Sequence, residues 1–326
     1  MIISRTPLRI SFFGGGTDFP EFFREHGGAV LGTAIDKYIY HCVTRFPSEL
    51  FDYSIRLAYR STECVRSVDE IEHRPFREIL KHFGLERDVE ISLAADLPAF
   101  SGLGSSSSFT VGLVNALSAF TGKFIAKDAL ARLAIHLERD VMREAVGWQD
   151  QIFAAFGGLN VIEFEPAGGF NVHRIALGAE RQRELEESIL LFFTGITRRA
   201  AALEQCKLDS LDRIRENLLR MYRLVERAHN ILTGNGPLSE FGRLLHESWL
   251  EKRSLASEVS NGRIDHMYQL GMQAGALGGK LLGAGGGGFM AFFVPKERQE
   301  SVRAALQGHY EISFSINAPG STIVHS

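Results

Sequence analysis

Residues 96–112, "DLPAFSGLGSSSSFTVG", restrict the possible folds of this chain more than any other stretch. Gly102 and Gly104, one residue apart, permit a tight turn that residues with a Cβ resist. Phe109, Leu113, Leu117 and Phe120 then recur at helical spacing, which predicts a helix from Ser105 to about Thr121, with Gly122 as its stop. The preceding "VEISLAAD" (89–96) reads as a strand that feeds the turn directly. A helix N-terminus needs one capping hydroxyl, and four serines stand here. Its first N–H groups lack intrahelical partners and its dipole is positive, so the turn is built to receive an anion. We therefore expect Gly102, Gly104, Ser105, Ser106 and Ser107 to cradle nucleotide phosphates, with one hydroxyl also able to coordinate magnesium. The Gly-Lys-Ser/Thr ending of a Walker A loop is absent.

At 326 residues the chain exceeds what one core usually serves, so two domains are expected. A net charge of −3 gives no general attraction to nucleic acid or anionic membrane, and any anion site must be local. Cys42, Cys64 and Cys206 are odd in number and lack metal-binding spacing, which predicts reduced thiols in the cytoplasm. Arg5 and Arg9 break the first apolar run, which argues against a signal peptide. No apolar run approaches the length of a membrane span.

The pattern along the chain predicts strands at 29–46, 160–166 and 188–195, and a helix from Lys127 to about Ala145 that buries Leu130, Leu133, Leu137 and Val141. The polar stretch 177–187 is a candidate boundary. Beyond it, helices are expected at 210–232, 238–255 and 264–277, then a glycine loop, the strand "FMAFFV" (289–294), a helix opened by Pro295 and the strand "YEISFSI". Mixed elements without regular βαβ alternation favour an α+β class. The loop "GAGGGG" (283–288) matches G-x-G-x-x-G formally. Its expected order of helix, loop and strand is the reverse of a dinucleotide site, so close backbone approach is the simpler reading.

Three segments stand together: "RTPLRISFFGGGTDFP" (5–20), "DLPAFSGLGSSSSFTVG" (96–112) and "GGKLLGAGGGGFMAFF" (278–293). In this order and spacing they resemble the three motifs of the GHMP kinases. The resemblance implies an N-terminal domain like a ribosomal-protein fold, at 1–186, a ferredoxin-like C-terminal domain, at 187–326, and a site in the cleft between them. Where galactokinases have Gly-Glu-His-Thr-Asp, this chain has Gly14-Gly15-Gly16-Thr17-Asp18. With "HLERDVMREAVGWQDQ", "FFTGITRRA" and "LLHESWLEKRSL" it looks most like the D-glycero-α-D-manno-heptose 7-phosphate kinases, and fucokinases share the triple glycine. Loss of an acidic side chain suits a substrate that already carries phosphate.

The resemblance implies an ATP- and Mg2+-dependent kinase for the anomeric hydroxyl of a heptose 7-phosphate. Such a step leads toward nucleotide-activated heptose for a surface glycan. Asp150 is the expected general base, Arg9 its catalytic neighbour, and Glu138 with Ser107 (or Ser106) the metal ligands. Gly15, Gly16, Thr17 and Asp18 are expected at the sugar, with either Asp18 or Thr17 capping the helix near Pro20. Arg198 and Arg199 are expected at the substrate phosphate, with Lys252 and Arg253 as weaker alternatives. His136 has no second His at i+4 and reads as a surface residue. Expected partners are a sugar phosphate and ATP, with a homodimer left open. Alternatives are a fucokinase or galactokinase-like enzyme, and a non-catalytic nucleotide- or sugar-binding regulator. A regulator has no need of a base beside the phosphates.

Overall fold

The computed structural model describes residues 1–197, 204–205 and 210–326. The first sheet is built on β1 (Ile2–Phe13) and the 18-residue β2 (Gly28–Arg45), with the short helix α1 (Pro20–His26) between them. β1 and β2 pair antiparallel, with register shifts after Pro7 and after Ser11. β2 is long enough to serve two neighbours. Its first half pairs with β6 (Leu159–Phe164) and its second half with β5 (Val89–Ala95). β3 (Ile55–Ala58) and β4 (Thr62–Val65) extend the β5 side, while β7 (Phe170–Arg174) extends the β6 side. Residues 6–13 are all buried, so both faces of β1 are covered and the strand reads as a continuous apolar run rather than an alternating one.

Helix α3 (Ser105–Phe120) lies against β1 and β2. Small and polar groups let it approach closely: Ser4 Oγ donates to Gly112 O at 2.8 Å, and Ser108 Oγ donates to Pro7 O at 2.7 Å. A second sheet comprises β8 (Ile189–Phe193), β9 (Gly278–Leu281), β10 (Phe289–Phe293) and β11 (Glu311–Ile312), in the order β11-β8-β10-β9. Trp249, from the helix Ser239–Arg253, packs into a core with Leu190, Phe192, Met290 and Phe292. The larger core runs on from β1 and α3 through Leu191, Phe289 and Phe293, so the two sheets share apolar packing.

Several expectations change. The stretch 177–187 contains a helix, α6 (Ala179–Glu187). β9 precedes the glycine loop, so that loop joins two antiparallel strands rather than following a helix. No helix follows it directly, and the dinucleotide reading still fails. The chain end returns as β12 (Thr322–His325) beside β1, so sheet membership does not follow one cut in the chain. The expected helix from Lys127 stops early. α4 covers Lys127–His136, a single π turn covers Leu137–Val141, and Val141 is exposed rather than buried. The inserted residue of a π turn shifts the facing of every side chain after it, a displacement that periodicity does not register.

Candidate active site

The cleft is assembled from both sheets by contact between two glycine-rich backbones. Gly102 (φ +82°) and Gly104 (φ +76°) are both left-handed, and Gly104 precedes Ser105 as the cap of α3 without offering a side chain. A Cβ on Gly283 would lie 2.6 Å from Gly102 Cα, and one on Gly288 2.4 Å from Ser101 O. Phe289 N donates to Ser101 O at 3.1 Å, closing the contact. The glycine loop is thus glycine-rich because it lies backbone-to-backbone on the glycine–serine turn. Gly288→Ala combines that overlap with a φ of +104°. Strain and overpacking each cost about 1–3 kcal/mol, so we expect at least about 2 kcal/mol of lost stability in denaturant unfolding. Wild-type stability would show that the loop can lift off the turn.

Arg9 N donates to Leu103 O at 3.0 Å, which pins the turn to β1. The same residue's guanidinium reaches three acceptors: Nε to Asp150 Oδ1 at 2.8 Å, Nη2 to Asp150 Oδ2 at 2.7 Å, and Nη1 to Gly102 O at 2.7 Å. This two-pronged grip sets both the position and the plane of the carboxylate. Arg9 is buried and Asp150 about a quarter exposed. Asp150 lies in the first turn of α5 (Gln149–Phe156), and a Cβ on Gly104 would stand 3.4 Å from its Oδ2. Base candidate and glycine–serine turn are therefore adjacent.

Ser105, Ser106 and Ser107 line the cleft with Arg9, Gly15, Gly16, Asp18, Gly102, Gly104 and Asp150. By helix geometry the N–H groups of those three serines have no intrahelical acceptor. The fourth serine has another use, since Ser108 holds α3 to β1. Ser107 Oγ donates to Glu138 Oε2 at 2.9 Å, and Gln151 Nε2 donates to the same oxygen. Glu138 is buried directly behind Ser107 rather than in the cleft wall. Burial pushes its carboxyl up to about 7, against hydrogen bonds that favour the charged form. The Thr110 hydroxyl also stands beside this carboxyl, and Oε1 meets no partner at full hydrogen-bond geometry among the described residues.

Asp18 is buried in the cleft wall and accepts from Gly16 N at 2.9 Å and Gln149 N at 3.2 Å. Burial and the nearby charge of Asp150 raise its carboxyl to about 6. Neither Asp18 nor Thr17 caps α1, which begins after Phe19 without a side-chain cap. Thr17 does not face the cleft. Its hydroxyl donates to Gly14 O and Ala29 O and accepts from Ala29 N, which ties the glycine turn to β2. Arg198, Arg199 and Cys206 lie outside the described residues. Arg253 is turned to Asp265 at 3.2 Å, and His136 to Asp140 at 2.7 Å. Lys252 and Lys280 line the cleft, donating to the carbonyls of Leu281 and Phe12, respectively. Lys280, Ser11 and Gln149 were not singled out from the sequence: one lysine, serine or glutamine carries no spacing signal.

The GHMP kinases N terminal domain matches residues 73–158, and the GHMP kinases C terminal domain matches residues 224–312. A D-glycero-alpha-D-manno-heptose 7-phosphate kinase of Campylobacter jejuni is 30% identical over 98% of this chain and 97% of its own. The chain is a GHMP kinase. Among solved structures, this GHMP kinase superposes with a TM-score of 0.81 on a D-glycero-D-manno-heptose 1-phosphate kinase from Bacteroides thetaiotaomicron. That protein is 25% identical, and the match covers 100% of this chain and 99% of the other. An L-fucokinase/L-fucose-1-P guanylyltransferase of Bacteroides fragilis is 27% identical, over 93% of this chain but 35% of that longer protein. These relatives identify the chain as an ATP-dependent sugar kinase with the mixed α+β fold of its family. Among the described residues, no helix is long and apolar enough to cross a membrane.

Proposed function

We propose that this GHMP kinase transfers the γ-phosphoryl group of ATP to the anomeric hydroxyl of D-glycero-D-manno-heptose 7-phosphate, giving the 1,7-bisphosphate. The observation that carries the reading is the Arg9–Asp150 fork held against the glycine–serine turn. Phosphoryl transfer asks a protein mainly for positioning and charge stabilisation, with a group to accept the hydroxyl proton. Asp150 takes that proton as the sugar oxygen forms its bond to phosphorus and the bond to ADP breaks. Arg9 keeps the carboxylate aimed and offsets the negative charge that develops. The N-terminal amides of α3 and the hydroxyls of Ser105, Ser106 and Ser107 hold the phosphates. A pure regulator would have no use for such a base.

Magnesium fits the residues behind the turn. Glu138 Oε1 is a buried carboxylate oxygen with no partner at full hydrogen-bond geometry among the described residues, and the Ser107 hydroxyl stands beside it. Both are hard oxygen donors of the kind the ion takes. When bound, it would supply neutralising charge to the phosphates. Arg198 and Arg199 remain our candidates for the substrate's own phosphate. We retain residues 1–186 as the ATP-binding domain and 187–326 as the C-terminal domain. The free thiols of Cys42 and Cys64 suit a reducing cytoplasm.

The two heptose relatives carry names that put the phosphate at different positions, 7 and 1. ADP release over a panel of sugars and sugar phosphates, with the new phosphate located by phosphorus NMR, tests the reading. Heptose 7-phosphate should exceed the unphosphorylated heptose in kcat/KM by about two orders of magnitude, because a charge-assisted grip on phosphate is worth a few kcal/mol. Arg198→Ala or Arg199→Ala should erase much of that preference. Equal turnover of galactose or fucose would overturn the heptose assignment and favour the fucokinase-like alternative.

A further inference from the structure

Among the described residues, Asp88, Phe100, Arg143 and Asn317 hold a positive φ without being glycine, and Phe100, at +61°, is the large apolar one. Asn and Asp visit this region with help from short polar side chains, whereas an aromatic residue is strained there. The two residues that follow hold Phe100 in place. Ser101 O accepts from Phe289 N at 3.1 Å, and Gly102 O accepts from Arg9 Nη1 at 2.7 Å. Both sheets thus clamp the backbone just beyond position 100. Glycine would adopt that conformation without strain, and the same turn does use glycine at 102 and 104, where φ is also positive. A phenylalanine at position 100 is therefore not what the backbone asks for.

Burial does not account for the ring either. Phe100 is 42% exposed, and among the described residues it is the one exposed large hydrophobic side chain that lines the cleft. Gly102, Gly104, Ser105 and Asp150 line the same cleft, and the Asp150 side chain is about a quarter exposed. A base open to solvent can accept a proton from water as well as from a sugar hydroxyl. The water oxygen would then bond to the γ-phosphorus as the bond to ADP breaks, releasing orthophosphate and consuming ATP without a phosphorylated sugar. Active sites suppress such side reactions by excluding water. We propose that Phe100 is a water shield: its ring caps the glycine–serine end of the cleft and keeps solvent from the γ-phosphoryl group. The strained backbone is what places the ring there. This inference rests on the reading of Asp150 as the base.

The test compares the full-length wild type with Phe100→Gly and Phe100→Leu. Orthophosphate release from ATP and Mg2+ is measured with no sugar present, beside phosphorylation of heptose 7-phosphate. Phe100→Gly should raise the sugar-independent release by about tenfold or more, while Phe100→Leu, which keeps the apolar bulk, should stay near wild type. Glycine accepts the left-handed backbone, so the thermal midpoint of Phe100→Gly should not fall. Adding Asp150→Asn to Phe100→Gly should abolish the extra hydrolysis, a readout that a structural role would not give. Wild-type orthophosphate release in Phe100→Gly, or an equal rise in Phe100→Leu, would overturn the inference. So would a raised KM for ATP with unchanged hydrolysis, which would make the ring a nucleotide contact, or a lowered thermal midpoint, which would make it a packing residue. If Asp150→Asn alone phosphorylates the sugar at the wild-type rate, the base reading fails. An inactive Asp150→Asn beside an unaltered Phe100→Gly would sink the shield alone.

Discussion

In Asp150→Asn, kcat falls by at least about a hundredfold while ATP affinity stays near wild type, if Asp150 is the base that accepts the hydroxyl proton. The substitution is nearly isosteric, so it removes the proton acceptor while leaving a side chain of the same shape in the fork. Arg9 keeps its bond to Gly102 O, and the glycine–serine turn keeps its link to β1 through Leu103. An asparagine amide cannot satisfy both prongs of the guanidinium, so a modest loss of stability accompanies the change. Asp150 is partly exposed, and water can take up part of that loss. ATP titration by calorimetry together with single-turnover kinetics separates the two effects. A variant with near-normal single-turnover rate would remove Asp150 from the chemistry, whatever its stability.

The second large effect concerns pH. The Glu138 carboxyl has an ordinary value of 4.5 and is raised to about 7 in the folded protein. Between these values the folded state retains a proton that the unfolded state has lost, so stability declines as pH rises from about 4.5 through 7. A shift of about 2.5 units at about 1.4 kcal/mol each puts the full loss at about 3 to 4 kcal/mol, reached above pH 7. Glu138→Gln has no such proton to lose. Without magnesium, its thermal midpoint should therefore rise relative to wild type as pH goes from 5 to 8. Asp18 titrates in both proteins and cancels in the comparison. Magnesium should restore the wild type at pH 8 and leave the variant unmoved, because the ion stabilises only the state that binds it. Its requirement in turnover should also rise in the variant. A constant difference across pH would mean that the Glu138 carboxyl is not held protonated. A magnesium response shared by both proteins would place the ion on other groups.

Local chemistry was legible where a function is written into consecutive residues. The strand at 89–95, the left-handed glycines, the helix from Ser105 and the cleft-facing serines follow from short-range backbone rules. So does the need of the glycine loop for close backbone contact, although its partner, Ser101 and Gly102, lies some 180 residues earlier. Thr17 misled because a threonine beside glycines and an aspartate resembles a ligand-binding hydroxyl until β2 supplies Ala29 as its partner. Glu138 was recognised as an important carboxylate, but its seat behind Ser107 depends on how the α4 segment packs against α3, which amphipathic periodicity cannot encode.

The sequence by itself determined the class of chemistry: a glycine–serine turn, a second glycine loop and a carboxylate, in an order that resembles one kinase family. Covalent neighbours suffice for that, because turn conformation and helix initiation depend on a few adjacent residues. Only the tertiary structure decided which polar groups meet. It joined Arg9 of β1 to Asp150 of α5. It also buried Glu138 with one oxygen short of full hydrogen-bond geometry among the described residues. Those outcomes depend on desolvation and on distances between residues up to 141 positions apart, and these exist only after the sheets and helices have packed.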